Sequence, residues 1–238
     1  MSQTKCARAV MKISGGAFGG QEGPFGEKPL GYVADELQAA REVCPELAVV
    51  VGGGNVIRGA AADVEGLERL HADQCGMLAT VINALVLRDR LHRRSVPCSV
   101  LSAMPVEGVV GGFTGERCIE ALEDGQVVLL AGGTGNPYFT TDTAAVWRAV
   151  QVGAELVLKA TRVEGVYDAD PEEDEDAEFF PHLTYPEVLE RGLKVMDLTA
   201  VAMAMEHGLP LRVFNYREEG NLARALRGDS VGTLIEGA

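Results

Sequence analysis

The sequence predicts a parallel α/β fold. Short apolar runs bounded by glycines alternate along the chain with stretches of helical period, which is the pattern of buried strands covered by helices. The chain has 238 residues, of which 47% are hydrophobic, so it can bury a large core. We therefore expect a single domain over residues 1–238.

The short apolar runs are the candidate strands. Each is brief and continuously apolar, as expected for a strand that is covered on both faces. Because the carboxyl ends of parallel strands meet at one edge of a sheet, the loops that follow these runs are expected to gather there. The candidate strands are residues 9–13, 47–51, 97–101, 127–131, 156–159 and 211–214.

Three of the intervening segments have apolar residues at helical spacing. Such a stripe is typical of a helix that packs one face on a core. We expect these stripes to cover the sheet. Their residues are Leu30, Val33, Leu37 and Cys44 in the first helix, Leu78, Ile82, Leu85 and Val86 in a longer second one, and Val146, Trp147 and Val150 in the third.

The charge of the chain argues against nucleic acid as a partner. The formal net charge is −14 and the pI is about 4.7. A protein that neutralises many nucleic-acid phosphates needs an excess of Lys and Arg. Any phosphate ligand is therefore expected at a local site made of loop N–H groups, helix N-termini and a few lysines.

The cysteines and the apolar segments indicate a reduced, cytoplasmic protein. The 5 cysteines are scattered and form no C-x-x-C pair, and the 4 histidines are dispersed, so neither a disulfide framework nor a zinc site is predicted. No uninterrupted apolar run is long enough to span a bilayer, and no sustained apolar segment follows residues 1–9. We expect no membrane partner.

Glycine-rich turns follow or flank several apolar runs, at residues 14–16, 52–55, 111–112 and 132–136. Glycine lets a backbone approach a phosphate closely and point its N–H groups inward. A single turn of this kind occurs wherever the chain reverses direction, so it does not by itself indicate a phosphate site. Several of them at one sheet edge favour such a site. Neither G-x-x-x-x-G-K-[ST] nor G-x-G-x-x-G occurs, so the scheme is predicted to be neither a P-loop nor a dinucleotide-binding motif.

The longest motifs are K-I-S-G at residues 12–15, V-G-G-G-N at 51–55 with R-G at 58–59, G-M-L-A-T at 76–80, T-G-N-P-Y-F-T-T-D at 134–142, L-K-A-T at 158–161, G-V-Y at 165–167, D-P at 170–171, K-V-M-D-L at 194–198 and R-V-F-N at 212–215. In order and spacing they resemble the UMP kinases of the amino-acid kinase fold family over nearly the whole chain. The resemblance implies a three-layer α/β/α sandwich around a mainly parallel central sheet. It also implies transfer of the γ-phosphoryl group of ATP to UMP, which gives UDP and ADP in pyrimidine nucleotide biosynthesis.

The acceptor of such a reaction is a phosphate oxygen that is already anionic, so charge repulsion is the main obstacle. Lys12 and Lys159, each near the end of a candidate strand, are predicted to straddle the transferred group, and a surface position is the alternative for either one. Asp142, at the start of a helical pattern, is predicted to orient these lysines, and a role as helix N-cap is compatible with that. Lys12, Asp142 and Lys159 are the candidate catalytic residues.

The resemblance places the other site residues on two sides. Asp73 suits a ribose hydroxyl because a carboxylate accepts two hydrogen bonds. Tyr167 is expected to pack on adenine and Arg58 to contact phosphate oxygens, whereas Asp170, before a proline, equally suits a turn. The UMP side consists of Gly53, Asp73, Thr134, Gly135, Asn136, Pro137, Tyr138, Phe139, Thr140 and Thr141. The ATP side consists of Lys12, Ile13, Ser14, Gly15, Gly54, Arg58, Thr161, Tyr167 and Asp170.

The resemblance also predicts the cofactor, the partners and the assembly. ATP is expected as co-substrate, with Mg²⁺ held largely by phosphate oxygens and waters, so no protein ligand to the metal is predicted. The family forms hexamers, so a homohexamer is expected, with the helix over residues 76–91 as a candidate dimer face.

The allosteric properties of the family do not transfer in the same way. GTP activates and UTP inhibits its bacterial members, but the family reads K-x-S-G-E where this chain has Gly16. The effector surfaces are matched only at Arg88, Asp89 and His92. The resemblance therefore predicts the catalysis and leaves the regulation open.

Two other functions stay open at this level. An acyl-phosphate-forming kinase for aspartate, acetylglutamate or carbamate shares the fold, but such kinases lack the segment 134–141 as it stands here. A nucleotide-dependent oxyanion store shares it too, and the retention of Lys12, Asp142 and Lys159 weighs against that function.

Overall fold

The computed structural model describes residues 6–19, 23–57 and 66–237. Within them, a 9-stranded sheet has the order β4-β3-β5-β2-β1-β6-β10-β11-β9, and β7 pairs with β8 in a separate ribbon. All neighbouring pairs of the large sheet are parallel except β10 and β11. The strands are Arg8–Ile13 (β1), Glu46–Val51 (β2), Cys98–Ser102 (β3), Gly111–Gly112 (β4), Val127–Ala131 (β5), Leu156–Thr161 (β6), Val166–Tyr167 (β7), Phe179–Phe180 (β8), His182–Leu183 (β9), Leu211–Asn215 (β10) and Thr233–Ile235 (β11).

The helices cover the two faces of this sheet. Helices α1, α2 and α7 pack on one hydrophobic cluster, and α3 to α6 pack on a second cluster across the sheet. The predicted three-layer α/β/α sandwich around a mainly parallel sheet is therefore confirmed. The helices are Glu27–Val43 (α1), Arg69–Arg93 (α2), Gly115–Glu123 (α3), Thr141–Val152 (α4), Tyr185–Glu190 (α5), Leu198–Glu206 (α6) and Asn221–Arg227 (α7).

The strand predictions hold for β1, β2, β3, β5, β6 and β10, with bounds that agree for β5 and differ by one or two residues for the others. These strands lie in the middle of the sheet, where both faces are buried and the apolar run is continuous. Strands β4, β7, β8, β9 and β11 were not predicted from the sequence. They contain two or three residues each, which is too short to leave a pattern.

The predicted apolar stripe of α2 is half right. Leu85 and Val86 pack against the core, whereas Leu78 and Ile82 are each 46% exposed, and the buried face near the start of the helix includes smaller residues such as Ala79. Small residues are needed there because α2 approaches a glycine turn closely: a Cβ on Gly53 would lie 2.5 Å from the carbonyl oxygen of Gly76. A rule based on hydrophobicity therefore misplaced two of the four predicted residues.

Helix α2 is also apolar and long enough, at 25 residues, to match the length of a membrane span. Within its most apolar window 44% is buried in the molecule, where it packs against β3 and β5. A core helix of a folded protein passes the same test, so this match is weak evidence for a span.

Candidate active site

A cleft of about 700 Å³ opens at the carboxyl edge of the central strands. It lies between the turns that follow β1 and β2 and the chain that follows β6. Because parallel strands end at the same edge, turns that are distant in sequence meet there. Its lining includes Lys12, Ser14, Gly15, Gly16, Gly53, Gly54, Thr141, Lys159, Thr161, Arg162, Tyr167, Asp170 and Lys194.

Two lysines lie side by side in the sheet at this edge. Strands β1 and β6 are parallel neighbours, and their register pairs Lys12 with Lys159. Side chains two residues apart share a face, so Lys12 points to the side of Val10 and Lys159 to the side of Val157, the layer that contains α4. Neighbouring strands are about 4.8 Å apart, so two ammonium groups at this register need an anion between them.

Asp142, in the first turn of α4, is that anion. Its Oδ1 lies 2.9 Å from Nζ of Lys12, and its Oδ2 accepts a hydrogen bond of 2.8 Å from Nζ of Lys159. The contact with Lys12 is an ion pair without hydrogen-bond geometry. Lys159 also donates to the carbonyl oxygen of Val195. Two cations and one carboxylate leave the cluster with one net positive charge.

The pKa of Asp142 is lower than its ordinary value of 3.8. Burial acts in the opposite direction and raises the pKa, but the combined attraction of Lys12 and Lys159, together with the hydrogen bond from Lys159, outweighs it. The carboxylate is therefore ionised at neutral pH.

Thr140 and Asp197 fix the start of α4. The Thr140 hydroxyl accepts hydrogen bonds from the backbone N–H of Asp142 (3.0 Å) and of Thr143 (3.2 Å), so Thr140 is the N-cap. The N-cap role considered for Asp142 is thus wrong, and its carboxylate faces the lysines instead. Asp197 accepts hydrogen bonds from the hydroxyls of Thr140 and Thr143, the latter at 2.8 Å, and caps α6 through the N–H of Ala200.

The glycine turns after β1 and β2 touch backbone to backbone. A Cβ on Gly52 would lie 2.8 Å from the nitrogen of Gly15, and one on Gly15 would lie 2.6 Å from the nitrogen of Gly54, so larger residues do not fit. The fully buried Asn83 donates a hydrogen bond of 2.6 Å to the carbonyl of Gly52 and exchanges amide hydrogen bonds with Asn55. The floor of the cleft is therefore held by close packing and buried amides.

Asp73 links α2 to the segment 134–141. Its Oδ2 accepts a hydrogen bond of 2.8 Å from the backbone N–H of Tyr138, and Nε of Arg69 lies 2.8 and 2.7 Å from its two oxygens. The Arg69 guanidinium also lies over the Tyr138 ring, 5.7 Å from its centroid. Tyr138 has a φ of 69°, an unfavourable backbone conformation for a residue with a side chain. This cluster of three residues is called the Asp73 clasp below.

The segment 134–136 forms a compact turn next to the clasp. The Thr134 hydroxyl accepts a hydrogen bond of 3.1 Å from the N–H of Asn136, and Gly132 donates through its N–H to the hydroxyl of Thr80 (2.7 Å). Gly132 and Gly135 have positive φ values of 75° and 88°. Gly135, Asn136, Pro137 and Phe139 thus lie on the loop that joins β5 to the start of α4.

Tyr167 and Asp170 lie on the other side of the cleft. The Tyr167 ring packs at a tilt against Phe179, with 5.4 Å between centroids. Asp170 accepts a hydrogen bond of 2.9 Å from the N–H of Glu172, so it starts a turn, as its position before a proline suggested, while it also lines the cleft.

Several predicted site residues do not line the cleft. The Ile13 side chain is buried in the core, and its carbonyl oxygen accepts from the N–H of Gly52. Asp142 lies behind the two lysines. Asp73 and residues 134–140 are also absent from the lining, and the predicted UMP segment reaches the cleft only at Thr141. Arg58 lies outside the described residues.

Several residues that shape the site were not predicted from the sequence. Asn83 was predictable, because a polar residue on the buried side of an apolar helix needs a partner. Arg69 was less so, although it lies four residues before Asp73 on the same helix. Lys194, which lines the cleft, and Asp197, which holds the start of α4, belong to the motif at 194–198, to which no role was assigned, and no pattern indicated Arg162.

Comparisons with known proteins agree with this geometry. Residues 7–215 match the model of the amino acid kinase family. The chain is 46% identical to the uridylate kinase of Marinobacter nauticus over 99% of this chain and 98% of that protein. It is 34% identical to the crystal structure of the UMP kinase of Bacillus anthracis, with a TM-score of 0.94 and coverage of 98% and 97%. The crystal structure of the UMP kinase of Ureaplasma parvum matches at 32% identity, with a TM-score of 0.91 and coverage of 98% and 100%.

Proposed function

The chain belongs to the amino acid kinase family, and we propose that it is a uridylate kinase, which transfers the γ-phosphoryl group of ATP to UMP and releases UDP and ADP. The observation that carries this proposal is the cluster of Lys12, Asp142 and Lys159 at a cleft floored by glycine turns. The relatives named above, which match nearly the full chain, support the choice of UMP as acceptor.

The cluster suits a reaction between two anions. The attacking oxygen of UMP is already charged, so no general base is needed, and the barrier lies in bringing it in line with the γ-phosphorus of ATP. In this proposal, Lys12 and Lys159 contact the oxygens of the transferred group and stabilise the charge that spreads over them. Asp142 is a positioning residue, since it holds both ammonium groups on one side of the sheet.

Mg²⁺ fits this site as part of the nucleotide complex. The described ranges contain no group of three or more His, Cys, Asp or Glu side chains placed to hold an ion. Oxygens of phosphate and water are ligands that Mg²⁺ prefers, so its donors would come largely from ATP. The ion supplies neutralisation of phosphate charge, and the protein supplies the lysines and the glycine turns.

The two substrates are assigned to opposite sides. On the donor side, Tyr167 is proposed to pack on adenine, and the turns at residues 13–15 and Gly54, with Thr161 and Asp170, to hold the nucleotide. On the acceptor side, Gly53 and the segment 134–141 are proposed to surround UMP. Oδ2 of Asp73 holds the N–H of Tyr138, and Oδ1 accepts from Nε of Arg69. A carboxylate oxygen has two lone pairs, so Oδ1 can also take a ribose hydroxyl while the same carboxylate orients the loop.

The test is a substrate panel. ADP release is measured from ATP and Mg²⁺ with UMP, CMP, aspartate, acetylglutamate or carbamate as acceptor. We expect rapid release with UMP alone. Turnover with one of the acids would indicate an acyl-phosphate-forming kinase. Nucleotide binding without turnover of any acceptor would indicate an oxyanion store.

We also propose a homohexamer that acts in the cytoplasm, in pyrimidine nucleotide biosynthesis, with one domain per chain. The exposed Leu78 and Ile82 on α2 support a face that pairs with a second copy. Light scattering after size exclusion measures the mass of the particle. A mass equal to one chain, 25.2 kDa, would contradict the assembly.

A further inference from the structure

Among the described residues, four cations line the cleft, and they differ in their partners. Lys12 and Lys159 share Asp142, whereas Arg162 and Lys194 form no ion pair with any described residue. A nucleoside triphosphate brings several negative charges into the cleft, and the lysine cluster offsets only one of them. Charge balance therefore favours a role for a further cation at the phosphates.

The position of Arg162 distinguishes it from Lys194. Arg162 directly follows β6, and its Nη2 lies 3.0 Å from the point where a Cβ on Gly16 would stand. Gly16 is in the turn that follows β1, beside Ser14 and Gly15. The guanidinium thus lies against the backbone of the glycine turn, and a Cβ on residue 16 would require it to shift by a few tenths of an ångström.

From this contact we propose that Arg162 is a further nucleotide-binding residue, whose guanidinium contacts the phosphates of the donor nucleotide at the turn of residues 14–16. A planar guanidinium presents paired N–H donors that match phosphate oxygens. Gly16 then keeps the guanidinium in place and available to phosphate. A larger residue at this position would displace the guanidinium, and an acidic residue would neutralise its charge. The inference rests on the proposed function only in taking a nucleoside phosphate as the occupant.

Calorimetric titration of ADP into the full chain tests this directly, because it needs no acceptor and no turnover. We expect Arg162→Met to raise the Kd of ADP about tenfold, the loss of one charge-assisted contact, while the Kd of adenosine changes less than about twofold. Arg162→Lys keeps the charge without the fork and should fall between wild type and Arg162→Met. Arg217→Met, at an exposed arginine outside the lining of this cleft, is the matched control and should leave both constants unchanged.

Gly16→Glu extends the test to the turn. We expect Gly16→Glu to raise the Kd of ADP in the wild-type background about as much as Arg162→Met does. In the Arg162→Met background, it should raise that Kd by less than about threefold more, because the two changes remove one interaction. Thermal melting of each variant confirms that it is folded.

Several outcomes overturn the inference. They are an unchanged Kd of ADP in Arg162→Met, an equal rise in the Kd of adenosine, or a rise in the Kd of UMP in place of that of ADP. The proposed function has a separate test, since it fails on the absence of UMP phosphorylation even if ADP binds through Arg162.

Discussion

The lysine cluster and the Asp73 clasp are built differently. The lysine cluster stands on neighbouring strands, and its side chains are largely buried: 12% of Lys12 and 13% of Asp142 is exposed. The Asp73 clasp joins a helix to a loop, and there the partners of the buried Asp73 carboxylate are at the surface, since Tyr138 is 63% and Arg69 46% exposed. The charged end is therefore formed before substrate arrives, whereas the acceptor end depends on a few surface contacts that can adjust to the ligand.

The largest expected effect is at the buried end. Asp142→Asn removes the carboxylate that contacts both lysines and leaves two ammonium groups at paired register, so their positions change. We expect kcat for UDP formation to fall about 100-fold or more, in keeping with the loss of a preorganised electrostatic group. Steady-state kinetics measure this.

Asp124→Asn is a suitable control, since Asp124 is an exposed acid at the end of α3 and outside the lining of the cleft. It should keep the wild-type kcat. A fall of less than tenfold in folded Asp142→Asn would remove Asp142 from the mechanism.

The second effect is at the exposed end. Asp73→Ala removes a ribose partner and the anchor of Tyr138 together. We expect KM for UMP to rise about 10- to 30-fold, the cost of one or two hydrogen bonds to a charged group, while KM for ATP stays within about twofold. Initial rates at varied UMP and at varied ATP separate the two constants, and Asp89→Ala on the same helix is the control. An effect on ATP alone would reverse the assignment of the two sides.

This contrast also explains what the sequence could reveal. Lys12 and Lys159 were predictable because each interrupts a buried apolar run, and a cation there needs an anionic partner. Their pairing at one register depends on the strand order, which places β6 beside β1. In the sequence, these two strands are separated by most of the chain that precedes β6. The glycine turns were predictable as turns, but the contact of Gly15 with Gly52 is tertiary.

The acceptor end was harder to predict. Asp73 is one acid on a helix, and the sequence does not say that its carboxylate meets the N–H of Tyr138, 65 residues away. Leu78 and Ile82 were wrongly assigned to the buried face of α2 because small and polar residues pack where the helix approaches a backbone, and a rule based on apolar side chains excludes them. Close approach of a helix to a backbone and polar contacts between residues distant in sequence are the features that the pattern of residue types does not show.

The third effect separates the contribution of Arg69 from that of Asp73 within the clasp. Arg69→Met keeps Asp73 but removes its ion pair, and Arg69 is 46% exposed, so solvent screens the pair. We expect KM for UMP to rise only about two- to fourfold, and less at high salt. Arg93→Met is the matched control, since Arg93 and Asp89 form an ion pair of the same spacing on the same helix. A rise as large as that of Asp73→Ala would mean that Arg69 itself contacts UMP.

The smallest expected effect concerns pH. The folded-state pKa of Asp142 is below its ordinary value of 3.8, so its contribution to stability is present above that value and is lost as pH falls through the lower folded-state pKa. The difference in melting temperature between wild type and Asp142→Asn should therefore stay constant from about pH 8 to about pH 5 and shrink only in stronger acid. Thermal melts across this range measure it. A difference that changes near neutral pH would show that burial outweighs the two lysines in setting the pKa of Asp142. The cluster would then lack the fixed charge that distinguishes it from the clasp.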